Sequence, residues 1–127
     1  MITKYLDVSD VLAFHADQLQ RYGGGSGIRD KGQLETALFR PQTGYYDDLI
    51  AEAAALWESF LMNHPFVDGN KRVSFAVVYT FLRINGSRIE ATSEEAGDFI
   101  YALFDSNSVS FEALDSWLRA NTKPVLD

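Results

Sequence analysis

Apolar residues recur every three to four positions along most of the chain, which is the spacing of one face of an α-helix. Residues 9–22 follow this pattern and stop at a glycine, with His15 on the apolar face. We interpret His15 as a hydrogen-bonded core residue. The clearest pattern covers residues 47–63, where the apolar side chains share one face: Leu49, Ile50, Ala53, Leu56, Trp57, Phe60 and Leu61.

Capping residues mark further helices. Asp30 precedes a short helix that Pro41 ends, and Thr92 with Glu95, three positions later, forms a capping-box pattern that starts another. Ser110 starts the last one. Residues 70–85 are apolar nearly all round after their first turn, which indicates a buried helix.

The predicted fold class is therefore all-α. We expect a bundle of about six helices around a central buried helix at residues 70–85, forming one domain over residues 1–127. A short extended piece is predicted at residues 88–91. Residues 122–127 are predicted to be a loose tail.

Composition excludes several classes of protein. The chain has no cysteine and two histidines, so disulfides and Cys/His zinc sites are excluded. A net charge of −7 argues against a nucleic-acid partner. The uncharged stretch at residues 73–82 has half the roughly 20 residues of a membrane span. With no secretory signal in the first residues, MITKYLDVSD, the expected location is the cytoplasm.

The segment HPFVDGNKR, residues 64–72, carries the candidate chemistry. The free N–H groups of a helix start, with Gly69 allowing close approach, form an anion site. Lys71 and Arg72 are cations at a helix N-terminus, an unfavourable position that makes sense if a phosphate binds there. Asp68 offers one oxygen ligand for Mg²⁺, and His64 is a general base. The alternative, an ordinary turn between two helices with solvated cations, stays open.

A second loop is rich in glycine. Residues 23–27, GGGSG, match neither the dinucleotide-binding pattern nor the phosphate loop with its Lys-Ser/Thr pair. We interpret them as the loop that ends the first helix, with a possible role in shaping the rim of the site.

Segment 64–72 resembles the Fic-domain motif H-P-F-x-(D/E)-G-N-x-R-x-x-R, and residues 21–38 and 73–90 resemble the death-on-curing branch of that family. The resemblance implies a Fic-like helical bundle and the toxin of a toxin–antitoxin pair. It implies that His64 is the catalytic base, that Asp68 holds Mg²⁺, and that the residues contacting the nucleotide phosphates are Gly69, Asn70, Lys71 and Arg72.

Two positions depart from the motif. Phe75 replaces its second arginine, and Lys71 stands where many AMP-transferring relatives have glycine. In the death-on-curing branch these changes go with transfer of the terminal phosphate of ATP or another nucleoside triphosphate, so kinase chemistry is the preferred reading. AMP transfer and a non-catalytic binding module remain alternatives.

The family also implies partners. A flap ahead of the third helix binds the target in this family, and Tyr45 and Tyr46 would suit that role as exposed aromatics. Simple packing of the two rings is the alternative. No Glu is followed by Gly or Asn, so the family's inhibitory pattern is missing and a separate antitoxin is expected. The expected target is translation elongation factor Tu.

Overall fold

The computed structural model describes residues 2–125, and this range contains six α-helices. They are α1 (Val8–Tyr22), α2 (Lys31–Phe39), α3 (Leu49–Asn63), α4 (Asn70–Ile84), α5 (Ser93–Asp105) and α6 (Phe111–Asn121). A 3₁₀ turn at Arg40–Gln42 follows α2, and two short strands, β1 (Ser87–Ile89) and β2 (Thr122–Pro124), form the sheet. The mostly helical fold predicted from the sequence is confirmed.

Five helices begin with a side-chain cap. In each, the residue before the helix accepts a hydrogen bond from the backbone N–H three positions later, which satisfies one of the free donors of the first turn. The capping residues are Asp7, Asp30, Asp48, Thr92 and Ser110. Helix α4 differs because it begins after Gly69, which provides no side-chain cap.

The centre of the bundle is α3 rather than the predicted helix at residues 70–85. Alanines 53–55 are fully buried, and their small size lets α2, α4 and α6 pack closely around α3. Helix α4 forms where it was predicted, but only one side is buried. Its other side, which includes Phe75 and Tyr79, is only partly buried because it lines an open groove.

The predicted loose tail is corrected for residues 122–125. Strand β2 pairs antiparallel with β1, and Lys123 lies opposite Arg88. Beyond the strands, the Val125 N–H donates to the Gly86 carbonyl. The predicted extended piece near residue 88 is confirmed as β1, whereas residues 126–127 lie outside the described residues. No helix within residues 2–125 has the length and apolar character needed to cross a membrane.

Candidate active site

The segment between α3 and α4, residues 64–69, is hereafter called the catalytic loop. Helix α3 ends at His64, whose backbone is left-handed with φ 47° and ψ 60°. Such a conformation costs a residue other than glycine roughly 1–3 kcal/mol, so the surrounding structure must hold it. The exposed His64 side chain lines a cleft of about 420 Å³ together with Asp68 and the first turn of α4.

Internal contacts close the catalytic loop. Phe66 is buried in the core and fixes the middle of the loop. The Asn70 side chain accepts from the Phe66 N–H at 3.0 Å and donates to the Phe66 carbonyl at 3.0 Å. The Asn70 amide is therefore used to fasten the loop, which leaves its backbone N–H for an anion.

A buried histidine of α1, His15, contacts the catalytic loop. The His15 ring stacks on Phe66 with centroids 3.8 Å apart, and its Nε2 lies 2.9 Å from the Asp68 carbonyl oxygen. Because a carbonyl only accepts hydrogen bonds, Nε2 must carry the proton. The prediction that His15 is a hydrogen-bonded core residue is confirmed, although its contact with the candidate site was not anticipated.

The glycine-rich segment runs beside the catalytic loop. The N–H groups of Arg29 and Asp30 both donate to the Pro65 carbonyl, at 2.8 and 3.1 Å. Ile28 forms an isolated antiparallel bridge with Phe66. Residues 24–30 thus run along the catalytic loop beside the cleft, and we call them the rim segment.

The rim segment also orients Asp68. Its Oδ2 accepts from the Gly25 N–H at 3.2 Å and its Oδ1 from the Gly69 N–H at 2.8 Å. These two bonds, the first the larger cause, hold the pKa of the Asp68 carboxyl below its usual range. A Cβ atom on Gly24 would lie 2.8 Å from Asp68 Oδ2, so any larger residue would have to displace that carboxylate.

An exposed, ionised carboxylate is suited to Mg²⁺, which commonly takes one or two carboxylates and completes its shell with phosphate and water. Asp68 therefore fits such an ion, since both oxygens keep unshared lone pairs beyond the bonds just described. Across residues 2–125 there is no group of three or more His, Cys, Asp or Glu side chains that would make a closed metal site. A cation at Asp68 would need ligands from a substrate.

The start of α4 is an open anion site. The first hydrogen bond of the helix runs from the Val73 N–H to the Gly69 carbonyl at 2.9 Å. The three preceding N–H groups, of residues 70–72, meet no protein acceptor within the described chain. Together with the helix dipole, free N–H groups of this kind are suited to bind an anion such as phosphate.

Lys71 and Arg72 extend to either side of this site. Lys71 Nζ lies 4.5 Å from the centre of the Phe104 ring, and the Arg72 guanidinium lies 4.5 Å from that of Tyr22. Both cations also border a groove of about 750 Å³ between α1, α4 and α5. Phe75 lines this groove at the position of the second arginine of the motif.

Tyr45 and Tyr46 are not brought to the catalytic loop. They precede α3, whereas His64 follows it, and a helix of 15 residues separates its ends by about 22 Å. Tyr46 accepts a hydrogen bond from Arg40 Nε at 2.7 Å and packs against Phe111 of α6. The segment that flanks the catalytic loop is the rim segment, and the role of Tyr45 and Tyr46 in a target-binding flap stays a prediction.

Sequence reasoning missed the role of His15 and Arg29 at the site. It gave residues 23–27 a possible role at the rim, where Gly24 and Gly25 approach Asp68, but it did not single out these two glycines. One signal was available, since a run of glycines often marks a close approach of two backbone segments. Nothing in the sequence alone identified Asp68 as the group being approached.

The fold and this loop define a helical protein in which a histidine, a carboxylate and an open helix N-terminus share one cleft. A family model described as "Fic/DOC family" matches residues 5–82. The chain is 45% identical over 95 residues to Toxin Doc of Mycolicibacterium smegmatis, covering 71% of each chain. It is 30% identical over 111 residues to Protein kinase doc of Escherichia phage P1, covering 84% of this chain and 88% of that one. The chain belongs to the Fic/DOC family.

Proposed function

We propose that this protein is a toxin that transfers the terminal phosphate of a nucleoside triphosphate to a Ser or Thr hydroxyl of a target protein. The observation that carries the proposal is the single cleft that contains His64, Asp68 and the free N–H groups of residues 70–72. A general base, a magnesium ligand and an anion site are the parts that phosphoryl transfer needs. The expected target is elongation factor Tu, whose modification would inhibit translation in the cytoplasm.

In this mechanism His64 accepts the proton of the target hydroxyl as its oxygen attacks the terminal phosphorus. The bond from that phosphorus to the bridging oxygen breaks, and the nucleoside diphosphate leaves. The N–H groups of the α4 N-terminus and the Arg72 guanidinium stabilise the phosphate charge. Mg²⁺, held by Asp68, would supply further charge neutralisation when bound.

Two observations favour phosphate transfer over AMP transfer. Phe75 presents an apolar ring where the motif has its second arginine, so that contact to a triphosphate is missing. The relative from phage P1 carries the name of a protein kinase. AMP transfer by the same base and carboxylate is the alternative.

We further propose that a separate antitoxin restrains the protein. No Glu of the chain is followed by Gly or Asn, so the inhibitory pattern of the family is missing. One of the relatives is named a toxin. The groove between α1, α4 and α5 offers a surface for this partner, because exposed Tyr22 and Tyr101 provide apolar contacts beside the cations Lys71 and Arg72.

Intact-mass spectrometry tests the reaction. Purified elongation factor Tu is incubated with this protein, ATP and Mg²⁺, and with the variants His64→Ala and Asp68→Ala. Asn107→Ala is the matched control, since Asn107 is the other non-glycine residue with positive φ in residues 2–125 and lies outside the cleft. We expect the target to gain one phosphate with the wild type and with Asn107→Ala, and no mass with the other two variants.

Other outcomes are equally informative. A gain of one AMP would retain the site and replace the reaction. No gain on elongation factor Tu would reject that target. Toxicity in cells that persists in both His64→Ala and Asp68→Ala would contradict an enzymatic role and support the non-catalytic binding module.

A further inference from the structure

The end of α3 has a capping problem that arises from its sequence. The last carbonyls of a helix need donors from outside the helix. After a left-handed residue the usual donor is the N–H of the next residue, which closes the last turn. Here the left-handed residue is His64 and the next is Pro65, which has no N–H. The backbone therefore cannot provide that hydrogen bond at the helix end that carries His64.

The side chain of Arg29 instead donates to two other carbonyls at this helix end. Its Nε donates to the His64 carbonyl and its Nη2 donates to the Asn63 carbonyl. The two N–H groups of a guanidinium form a rigid fork, which matches two adjacent carbonyls. Its positive charge is also favourable at a helix C-terminus.

Arg29 is itself held in place. Its backbone N–H donates to the Pro65 carbonyl at 2.8 Å, within the bridge between the rim segment and the catalytic loop. Main chain and side chain of one residue therefore bind three successive residues of the loop junction, 63–65. Arg29 belongs to the rim, yet it contacts only the backbone of His64 and leaves the imidazole free.

We propose that Arg29 is a positioning residue that holds His64 in its left-handed conformation and thereby aims the imidazole into the cleft. The proposal rests on the proposed role of His64 as the base. Without Arg29 the two carbonyls would turn to water, and His64 would relax to negative φ. Because φ and ψ set the direction of the side chain, the ring would then leave the vicinity of Asp68.

The binding of nucleotide should not depend on the Arg29 side chain. Asp68 is held by His15, Gly25 and Gly69, and the start of α4 by the Asn70 bonds to Phe66. None of these contacts involves the Arg29 side chain. Loss of Arg29 should therefore affect the step that needs the base and spare the binding of nucleotide.

Steady-state kinetics of Arg29→Ala tests this separation. We expect kcat to fall about 10- to 100-fold, the loss typical of a catalytic group misplaced by about 1 Å, with KM for the nucleotide changed by less than about threefold. Arg29→Lys should recover little, because one ammonium cannot span both carbonyls. Millimolar guanidinium should restore part of the Arg29→Ala activity. Equal losses in kcat and nucleotide affinity would overturn the proposal in favour of a purely structural role.

Arg21→Ala is the control, since Arg21 is an exposed arginine near the rim whose side chain pairs with Asp17 on its own helix. It should leave kcat and KM unchanged.

An NMR measurement needs no target and so separates this proposal from the proposed function. In a nuclear Overhauser spectrum, a residue with a left-handed backbone gives a strong cross-peak between its own amide and Hα protons. We expect the His64 peak to be strong in the wild type and in Arg21→Ala, and weak in Arg29→Ala and Arg29→Lys. An unchanged His64 peak in both Arg29 variants would overturn the proposal whatever the activity shows. A weakened peak in a protein that transfers no phosphate would instead reject the function and keep the role of Arg29 in the backbone.

Discussion

The Nε2 atom of His15 lies 2.9 Å from the carbonyl oxygen of Asp68, so a side chain of α1 forms a hydrogen bond with the catalytic loop. The two residues are 53 positions apart in sequence. The same imidazole stacks on Phe66, which places a donor and an apolar surface of one ring on neighbouring parts of the loop. The position of the Asp68 carboxylate is therefore coupled to the packing of the first helix.

Replacing His15 by Phe should keep the stack on Phe66 and remove the donor. The Asp68 carbonyl would lose its partner, and we expect the free energy of unfolding to fall by about 1–2 kcal/mol. The Mg²⁺ concentration needed for half-maximal transfer should rise, because the carboxylate is less well positioned. His15→Gln, which retains a side-chain N–H, should recover part of both effects. Identical Mg²⁺ dependence in wild type and His15→Phe would contradict this coupling.

Gly24→Ala should impair Mg²⁺-dependent transfer because the new methyl group would meet Asp68 Oδ2 at 2.8 Å. Gly23→Ala is its matched control: Gly23 also has positive φ, yet a Cβ there meets nothing within 4 Å. Both variants should lose about 1 kcal/mol of stability from backbone strain. Only Gly24→Ala should weaken Mg²⁺ binding, measured by titration calorimetry with a non-hydrolysable nucleotide present. Equal binding by the two variants would rule out the steric explanation.

Asp48 should make stability depend on pH in acid. Its hydrogen bonds from Arg119, at 3.0 Å to each oxygen, and from the Ala51 N–H lower the pKa of its carboxyl in the folded state. The unfolded chain therefore binds the proton first, and the stabilisation is present above about pH 4 and lost as pH falls through the lowered folded pKa.

The variant Asp48→Asn tests this dependence. It keeps a cap acceptor and loses the charge, so it should be less stable than wild type near pH 7 by less than about 1 kcal/mol, since the ion pair is half-exposed. Urea unfolding from pH 7 to pH 2 should show the difference shrinking below about pH 4. A difference that stays constant to pH 2 would show that the charge plays no part.

Asn85→Ala should be the more destabilising of two asparagine deletions. The buried Asn85 side chain accepts from the Lys4 N–H and donates to the carbonyls of Lys4 and Phe81, whereas the Asn121 side chain makes one bond, to the Trp117 carbonyl. At about 1 kcal/mol for each bond, we expect losses of about 2–3 and about 1 kcal/mol respectively. Urea unfolding with unchanged m-values measures the loss in free energy of unfolding for each variant. Similar losses would mean that the extra hydrogen bonds of Asn85 contribute little to stability.

The local features of this fold follow from local sequence, and its tertiary features do not. Helix positions and the cap at Thr92 depend on neighbours within a few residues, so the sequence predicts them well. The central place of α3 is less visible, because its clear apolar pattern predicts one buried face, whereas the small Ala54 and Ala55 are buried as well and allow close packing on further sides. The strand at residues 122–124 forms only because β1 lies beside it, a contact that no local pattern reports.

The candidate site shows the same contrast between local features, which the sequence predicts, and tertiary contacts, which it does not. The motif placed His64, Asp68 and the start of α4 in one cleft, because they are close in sequence. It did not show which other segment meets them. Tyr45 precedes α3 and His64 follows it, and the two ends of this helix are about 22 Å apart. Adjacency to a helix does not determine adjacency to the residue at its far end.

The rim segment contacts the catalytic loop largely through main-chain groups. The side chains at this contact can therefore change while the backbone contacts stay the same. The Val67 N–H donates to the Gly27 carbonyl, while the side chains of Ser26, Ile28 and Val67 are exposed. Substitutions at these three positions would change exposed side chains and leave the backbone contacts in place. If the target docks over this surface, selection for a different target can act on these side chains without replacing His64 or Asp68. A library randomised at these three positions is the natural starting point for redirecting the protein to a new target.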